Sequence, residues 1–224
     1  MGFDNEISVR QEICRIGRML HGRGYVAGCD GNISVRLSRN LVLCTPTSVS
    51  KGMMAPEDLV VVDINGHQQN GNRHPSTELA MHLLFYALRP EVRAVVHAHP
   101  PTATGFAAAG ISLEQALVAE VVTAFGKIPL ASYGMPGTQE LPDALRPLVP
   151  HHDALLMAHH GVVTCGHTLL KAYMNMECVE HYAQVALVAR QLGGQPLPEE
   201  EVQRLMNARE QYEANKKPVS VEWD

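Results

Sequence analysis

The chain has 224 residues, a formal charge of -5 and a hydrophobic share of 46%, enough for one domain, residues 1–224, around a substantial core. Its mild acidity argues against a nucleic-acid binder or a basic membrane-surface protein, so the expected partner is a small molecule, with no nucleic acid and no membrane. No apolar run reaches the roughly 20 residues that span a bilayer and the N-terminus lacks the pattern of a signal peptide, which makes a cytoplasmic location the expectation.

Ile13, Ile16, Gly17 and Leu20 recur at helical spacing until Gly22 and Gly24, which predicts an N-terminal helix. Residues 32–37 and 41–45 are β-rich runs around Ser38-Arg39-Asn40, the spelling of a hairpin. Another strand, 59–64, closes at Asn65-Gly66. Pro75-Ser76-Thr77-Glu78 then opens the segment Leu79–Leu88, apolar on nearly every side and ended by Arg89-Pro90, a buried helix with a polar start. Residues 92–96 and 154–158 read as buried strands. A long helix is predicted over 168–192, with Leu169, Tyr173, Met176, Val179, Ala183, Ala186 and Leu187 on its core face and Gly193-Gly194 as its stop. The last ~30 residues form a charged helix and tail that packs late or onto a neighbouring subunit. Strands mixed with helices, including a hairpin, indicate an α/β or α+β domain whose sheet is not purely parallel. Cys14, Cys29, Cys44, Cys165 and Cys178 are odd in number and scattered, and read as reduced, mostly structural thiols.

The chemistry gathers at the ends of two predicted strands. His97-Ala98-His99 follows the first, and side chains two apart on a strand share a face, so both imidazoles project together. The second ends in His159-His160, of which only one can face the same site if the strand stays extended. Three histidines with a coordination position left open are the ligand set of a catalytic zinc rather than of a closed structural site. Glu78, at the start of a buried helix, is the candidate base, since backbone N–H groups there favour its charged form; a plain dipole-complementing role is the alternative. Ser76 and Thr77 at the same helix start suit phosphate or another anion, or serve as plain caps. In Gly28-Cys29-Asp30-Gly31-Asn32 the glycines let a ligand approach the backbone and Asn32 supplies an amide. Thr45-Pro46-Thr47-Ser48 leaves another strand end. Lys51, the nearest cation in sequence, is read as a surface side chain.

The segments Gly31-Asn32-Ile33-Ser34, Thr45-Pro46-Thr47, Pro75-Ser76-Thr77-Glu78, His97-Ala98-His99, Pro136-Gly137-Thr138 and His159-His160-Gly161, in this order and spacing, resemble the class II aldolase/adducin family over residues 28–192. The resemblance implies an α/β three-layer fold, a central and mostly antiparallel sheet flanked by helices, assembled as a homotetramer with active sites between subunits. It implies that His97, His99 and His160 bind one zinc ion per chain, His160 because the family ligand directly precedes the glycine. Glu78 becomes the catalytic acid/base, and Asn32, Thr47, Ser48, Ser76 and Thr77 hold the phosphate of a phosphorylated sugar. Two departures stand out. Ser48 occupies a position where the family's fuculose-phosphate enzymes have glycine, and residues 118–121 lack both the tyrosine with which those aldolases protonate the leaving aldehyde and the aspartate of the family's epimerases. Glu120 and Tyr212 are the candidate substitutes. The activity implied is zinc-dependent cleavage of a ketose 1-phosphate, of the L-fuculose or rhamnulose type, to dihydroxyacetone phosphate and a short aldehyde. Related decarboxylases of 3-oxo sugar-acid phosphates and dehydratases of methylthioribulose phosphate share the metal and the enolate problem. A non-catalytic adducin-like scaffold is opposed by retention of all three histidines and Glu78.

Overall fold

The computed structural model describes residues 4–215, with side chains from residue 6 to residue 209. In chain order the elements are α1 (Asp4–Gly22), β1 (Asn32–Arg36), β2 (Leu41–Cys44), a short 3-10 turn (Pro56–Asp58), β3 (Val60–Asp63), β4 (Gln68–Asn70), α2 (Leu79–Leu88), β5 (Ala94–Ala98), α3 (Pro101–Ala108), α4 (Ala119–Phe125), β6 (Leu130–Ala131), α5 (Glu140–Leu145), β7 (Ala154–Met157), β8 (Gly161–Gly166), α6 (Leu169–Gln191) and α7 (Glu199–Asn215). The strands form one sheet in the order β4-β3-β2-β1-β5-β8-β7-β6. Every neighbouring pair is antiparallel except β6 with β7, as the sequence leads one to expect.

Strand alternation divides the core in two. On one face Ile33, Val35, Ala94, Val96 and Ala98 pack with α1, α3 and α6, through Ile16, Phe106 and Met176 among others. On the other, Val42, Val62, Val95, Leu155 and Val163 meet Met81 and Phe85 of α2 and Leu141 and Leu145 of α5. The result is helix, sheet, helix. Because α2 lies between the sheet and α5, it is apolar on nearly every side.

The helix over 168–192 forms as α6, capped by Thr168, whose hydroxyl accepts from the Lys171 N–H at 3.1 Å. Leu187 departs from the predicted core stripe and is 44% exposed, lining a surface cavity with Phe106, Ile111 and Arg190. α7 lies on α4 of the same chain, with Met206 and Arg209 against Gly126. The sequence reading did not separate β8, whose apolar run is only Val162-Val163, between Gly161 and Thr164. It sits between β5 and β7, behind the histidines.

Candidate metal centre

β5 places the first two rings. His97 shares a face with Val95 and lies directly across from Asn32 of β1, while His99 follows the strand end with its Nε2 3.1 Å from His97 Nε2. The third ring comes from the turn joining β7 to β8. There the chain does not stay extended: His159 takes a φ of 55°, in the left-handed region, and the His160 N–H donates to the Met157 carbonyl at 3.0 Å. The turn sends His159 to the surface and His160 inward. The His160 ring centroid is 4.7 Å from that of His97 and 5.3 Å from that of His99, and one nitrogen from each of the three rings falls within 4.8 Å of the others. A Cβ on Gly161 would lie 2.5 Å from His99 Cδ2 and 2.7 Å from the Ala98 carbonyl, so only glycine lets the turn close on the rings.

Glu78 immediately precedes α2, but its side chain makes no capping bond. Its Oε1 lies 3.0 Å from His160 Nε2 and its Oε2 lies 3.2 Å from His97 Nε2, and Asn32 Nδ2 donates to Oε2 at 2.7 Å. The expected lodging of this carboxylate among helix N–H groups is therefore corrected. Ser76 serves the helix start instead: its hydroxyl accepts from the Glu78 N–H at 3.3 Å and its carbonyl from the Leu79 N–H at 3.1 Å. Burial by itself would raise the Glu78 carboxyl, yet His160 and His97 outweigh it and hold the group well below the ordinary carboxylate range.

These side chains fit a divalent cation. The Nδ1–H of His97 donates to the Val162 carbonyl at 2.8 Å, and His99 Nδ1 faces Asp30 Oδ2 at 3.3 Å. Each ring, so anchored through Nδ1, turns its Nε2 toward the other. Burial, with His97 and His160 nearby, lowers the His99 pKa to about 4, so that ring is neutral near pH 7. Two ring nitrogens 3.1 Å apart, with an ionised carboxylate beside them, form an electron-rich pocket suited to a metal ion.

The three loops singled out in the sequence converge next to the rings. A cavity of about 200 Å³ is lined by Cys29, Asp30, Gly31 and Asn32, by Pro46, Thr47, Ser48 and Lys51, and by Ser76, Thr77, Glu78 and His99. Ser48 has a φ of 59°, a backbone shape that explains why glycine suits this position. Lys51 is not the surface residue expected: it is buried, and its ammonium donates to the carbonyls of Cys29 at 2.9 Å and Val49 at 2.6 Å, tying two cavity loops together. Burial lowers its pKa, against the pull of Cys29, Asp30 and Glu78. Glu120 is exposed in the first turn of α4 and does not line the cavity. The Tyr212 side chain lies outside the described residues. Asp30, Lys51 and the fully buried His82 of α2 are site groups that sequence reasoning missed. The polar interruption of an apolar helix was the one available signal for His82.

The model of the class II aldolase and adducin N-terminal domain matches residues 11–187. The 3-oxo-tetronate 4-phosphate decarboxylase of Escherichia coli O6:H1 is 34% identical over 196 residues, 86% of this chain and 91% of that protein. The L-fuculose phosphate aldolase of Methanococcus maripaludis is 34% identical over 181 residues, 81% of this chain and 97% of that protein. A solved L-fuculose 1-phosphate aldolase superposes with a TM-score of 0.84 at 31% identity, over 92% of this chain and 96% of the other. Sequence and architecture thus agree with the metal-binding geometry: the protein is an enzyme, a lyase, and belongs to the class II aldolase and adducin family.

Proposed function

We propose that this lyase is zinc-dependent and cleaves a ketose 1-phosphate of the L-fuculose or rhamnulose type to dihydroxyacetone phosphate and a short aldehyde. The observation that carries the reading is the convergence of His97, His99 and His160 on the Glu78 carboxylate beside a small polar cavity. The three histidines would hold one zinc ion per chain and leave room for substrate. Zinc held there supplies Lewis acidity, stabilising negative charge on the substrate's oxygens. Cleavage leaves the electron pair of the broken bond on the dihydroxyacetone phosphate half, while the departing half gives up its hydroxyl proton and becomes the aldehyde. The proton released by the departing half balances the one that Glu78, ionised at rest, takes up and hands to the carbon that becomes the hydroxymethyl group. Asn32, Thr47, Ser48, Ser76 and Thr77 would hold the phosphate through amide, hydroxyl and backbone donors, with the Lys51 charge behind them. A cytoplasmic homotetramer belongs to the same reading, and sedimentation of the purified protein checks the subunit number.

A second reading, decarboxylation of a 3-oxo sugar-acid phosphate, is favoured by one observation. Aldol cleavage needs a group to take the hydroxyl proton of the departing half, and residues 118–121 offer only Glu120, exposed and away from the cavity. Loss of carbon dioxide needs no such group. Its electron pair falls to the same carbon, and a proton taken up from water and handed on by Glu78 yields the same dihydroxyacetone phosphate. The deciding experiment incubates the zinc-loaded protein with L-fuculose 1-phosphate, L-rhamnulose 1-phosphate and 3-oxo-tetronate 4-phosphate and measures dihydroxyacetone phosphate and carbon dioxide. Product without carbon dioxide from a ketose phosphate supports the aldolase. Carbon dioxide from the acid selects the decarboxylase, and no product from any of the three overturns both.

A further inference from the structure

Behind Glu78 a line of buried side chains runs away from the metal centre across the face of the sheet. Asn32 Oδ1 meets His82 Nε2 at 2.5 Å, His82 Nδ1 meets Ser34 Oγ at 2.7 Å, and Ser34 Oγ meets the Tyr86 hydroxyl at 2.7 Å. Asn32, Ser34, His82 and Tyr86 are each at most 4% exposed. Asn32 and Ser34 project from β1, while His82 and Tyr86, four residues apart, project from one side of α2.

The chemistry of these groups fixes the direction of every bond. Asn32 Nδ2 donates to Glu78 Oε2 at 2.7 Å, which turns the amide's carbonyl oxygen to His82. His82 must then carry its proton on Nε2. Burial pushes the His82 pKa down to about 3, with His97 acting the same way and Glu78 opposing it, so the ring is neutral and Nδ1 is an acceptor. Ser34 therefore donates to Nδ1, and its one hydroxyl proton being spent, Tyr86 donates to Ser34. All the donors point one way, from Tyr86 through Ser34, His82 and Asn32 to Glu78 Oε2.

We infer that His82 is a positioning residue: it holds the Asn32 amide in the orientation that donates to Glu78, and so keeps the Glu78 carboxylate aimed between His97 and His160. The inference rests on the proposed role of Glu78 in proton delivery, but the hydrogen-bond chain stands on its own geometry. A chain of donors aligned in one sense polarises each link. Without His82 the Asn32 amide can turn its oxygen toward Glu78, which repels the carboxylate and frees it to rotate. Ser34 and Tyr86 fix the His82 tautomer from behind.

Two measurements test this on the full-length, zinc-loaded protein. The first is the 15N spectrum of the histidine rings near neutral pH, with His82 assigned by substitution. A neutral ring protonated on Nε2 is expected, and a proton on Nδ1 overturns the inference whatever the activity. The second is deuterium exchange at the hydroxymethyl carbon of dihydroxyacetone phosphate in heavy water, a half-reaction that the aldolase and decarboxylase readings share. His82→Leu should lower the saturated exchange rate on the order of ten- to hundredfold, with zinc content unchanged. His82→Gln keeps an N–H near the Nε2 position and should recover most of the rate. Ser34→Ala should lower it less, in the same direction. Wild-type exchange in folded His82→Leu, or equal losses in the Leu and Gln variants, would reduce His82 to packing. Absence of exchange in the wild type defeats the proposed reaction, while the ring spectrum still decides the chain.

Discussion

Both faces of the sheet bury polar side chains, and the partners those side chains choose are different. On the α6 side, Thr164 donates to the Ala172 carbonyl at 2.8 Å and Asn175 to the Cys165 carbonyl at 2.9 Å. Glu180 accepts from the backbone N–H groups of Thr102 and Ala103 at 3.1 and 2.9 Å. These groups satisfy the backbone where α3 and α6 meet the sheet, although Glu180 also accepts from Gln184 at 3.0 Å and Tyr173 bonds the Glu177 and Arg23 side chains. On the α2 side, Tyr86, Ser34, His82, Asn32 and Glu78 bond to one another and end at the three histidines. Bonds between side chains are the minority class in proteins, and a buried run of them ending in a carboxylate is organised around that carboxylate. The lesson is that the partner of a buried polar group separates structure from chemistry better than its burial does.

The comparison can be broken by substituting on each face in turn. The largest expected effect is that of His97→Ala, which removes a proposed metal ligand and with it several kcal/mol of charge stabilisation. Activity should fall by roughly a thousandfold or more, and metal analysis of the purified variant should show depleted zinc. His159→Ala is the control, and a loss of metal there would mean that the turn points the other histidine inward. Glu78→Gln comes next: turnover should drop on the order of a hundredfold or more, with zinc retained and thermal stability near that of the wild type. Wild-type turnover in this variant would return Glu78 to a dipole-complementing role.

On the opposite face the pattern should invert. Glu180→Ala leaves two backbone N–H groups at the start of α3 without their acceptor, at a cost of about 1–3 kcal/mol. Urea unfolding should reveal that loss, whereas kcat per folded molecule should stay within about threefold of the wild type; a hundredfold loss of kcat without a stability change would erase the distinction between the faces. The smallest effect concerns Cys44, on the α2 side. Burial raises its thiol from 9.0 to about 12. Folding therefore holds a proton that the unfolded chain releases above about pH 9. The stabilisation is fully present below that pH and is lost as pH rises toward 12, at a slope of at most about 1.4 kcal/mol per pH unit. Cys44→Ala should flatten the difference between unfolding curves at pH 8 and pH 10, and an unchanged slope would assign it to other groups.

Much of this was legible in the chain because the signals were local. Helical spacing ended by glycine or proline marked α1, α2 and α6, and β-rich runs on either side of a short polar loop marked the hairpin of β1 and β2. The His-x-His spacing specified two imidazoles on one face, since that follows from strand geometry alone. β8 was hidden because its apolar run is only two valines long, between glycine and threonine, and Lys51 was misread because a long amphipathic side chain does not announce where its ammonium ends.

What the sequence by itself determined was the set of chemically capable residues and the elements that carry them: three histidines at strand ends, a carboxylate at a helix start, and loops able to receive an anion. Only the tertiary structure decided which of them meet. The left-handed backbone at His159 selected His160. The pairing of Asn32 with His97 across β1 and β5 brought an amide to Glu78, and the packing of α2 on β1 set His82 behind it. Each of these depends on contacts between residues tens of positions apart, whose geometry is set by sheet register and helix packing rather than by any local run of the chain.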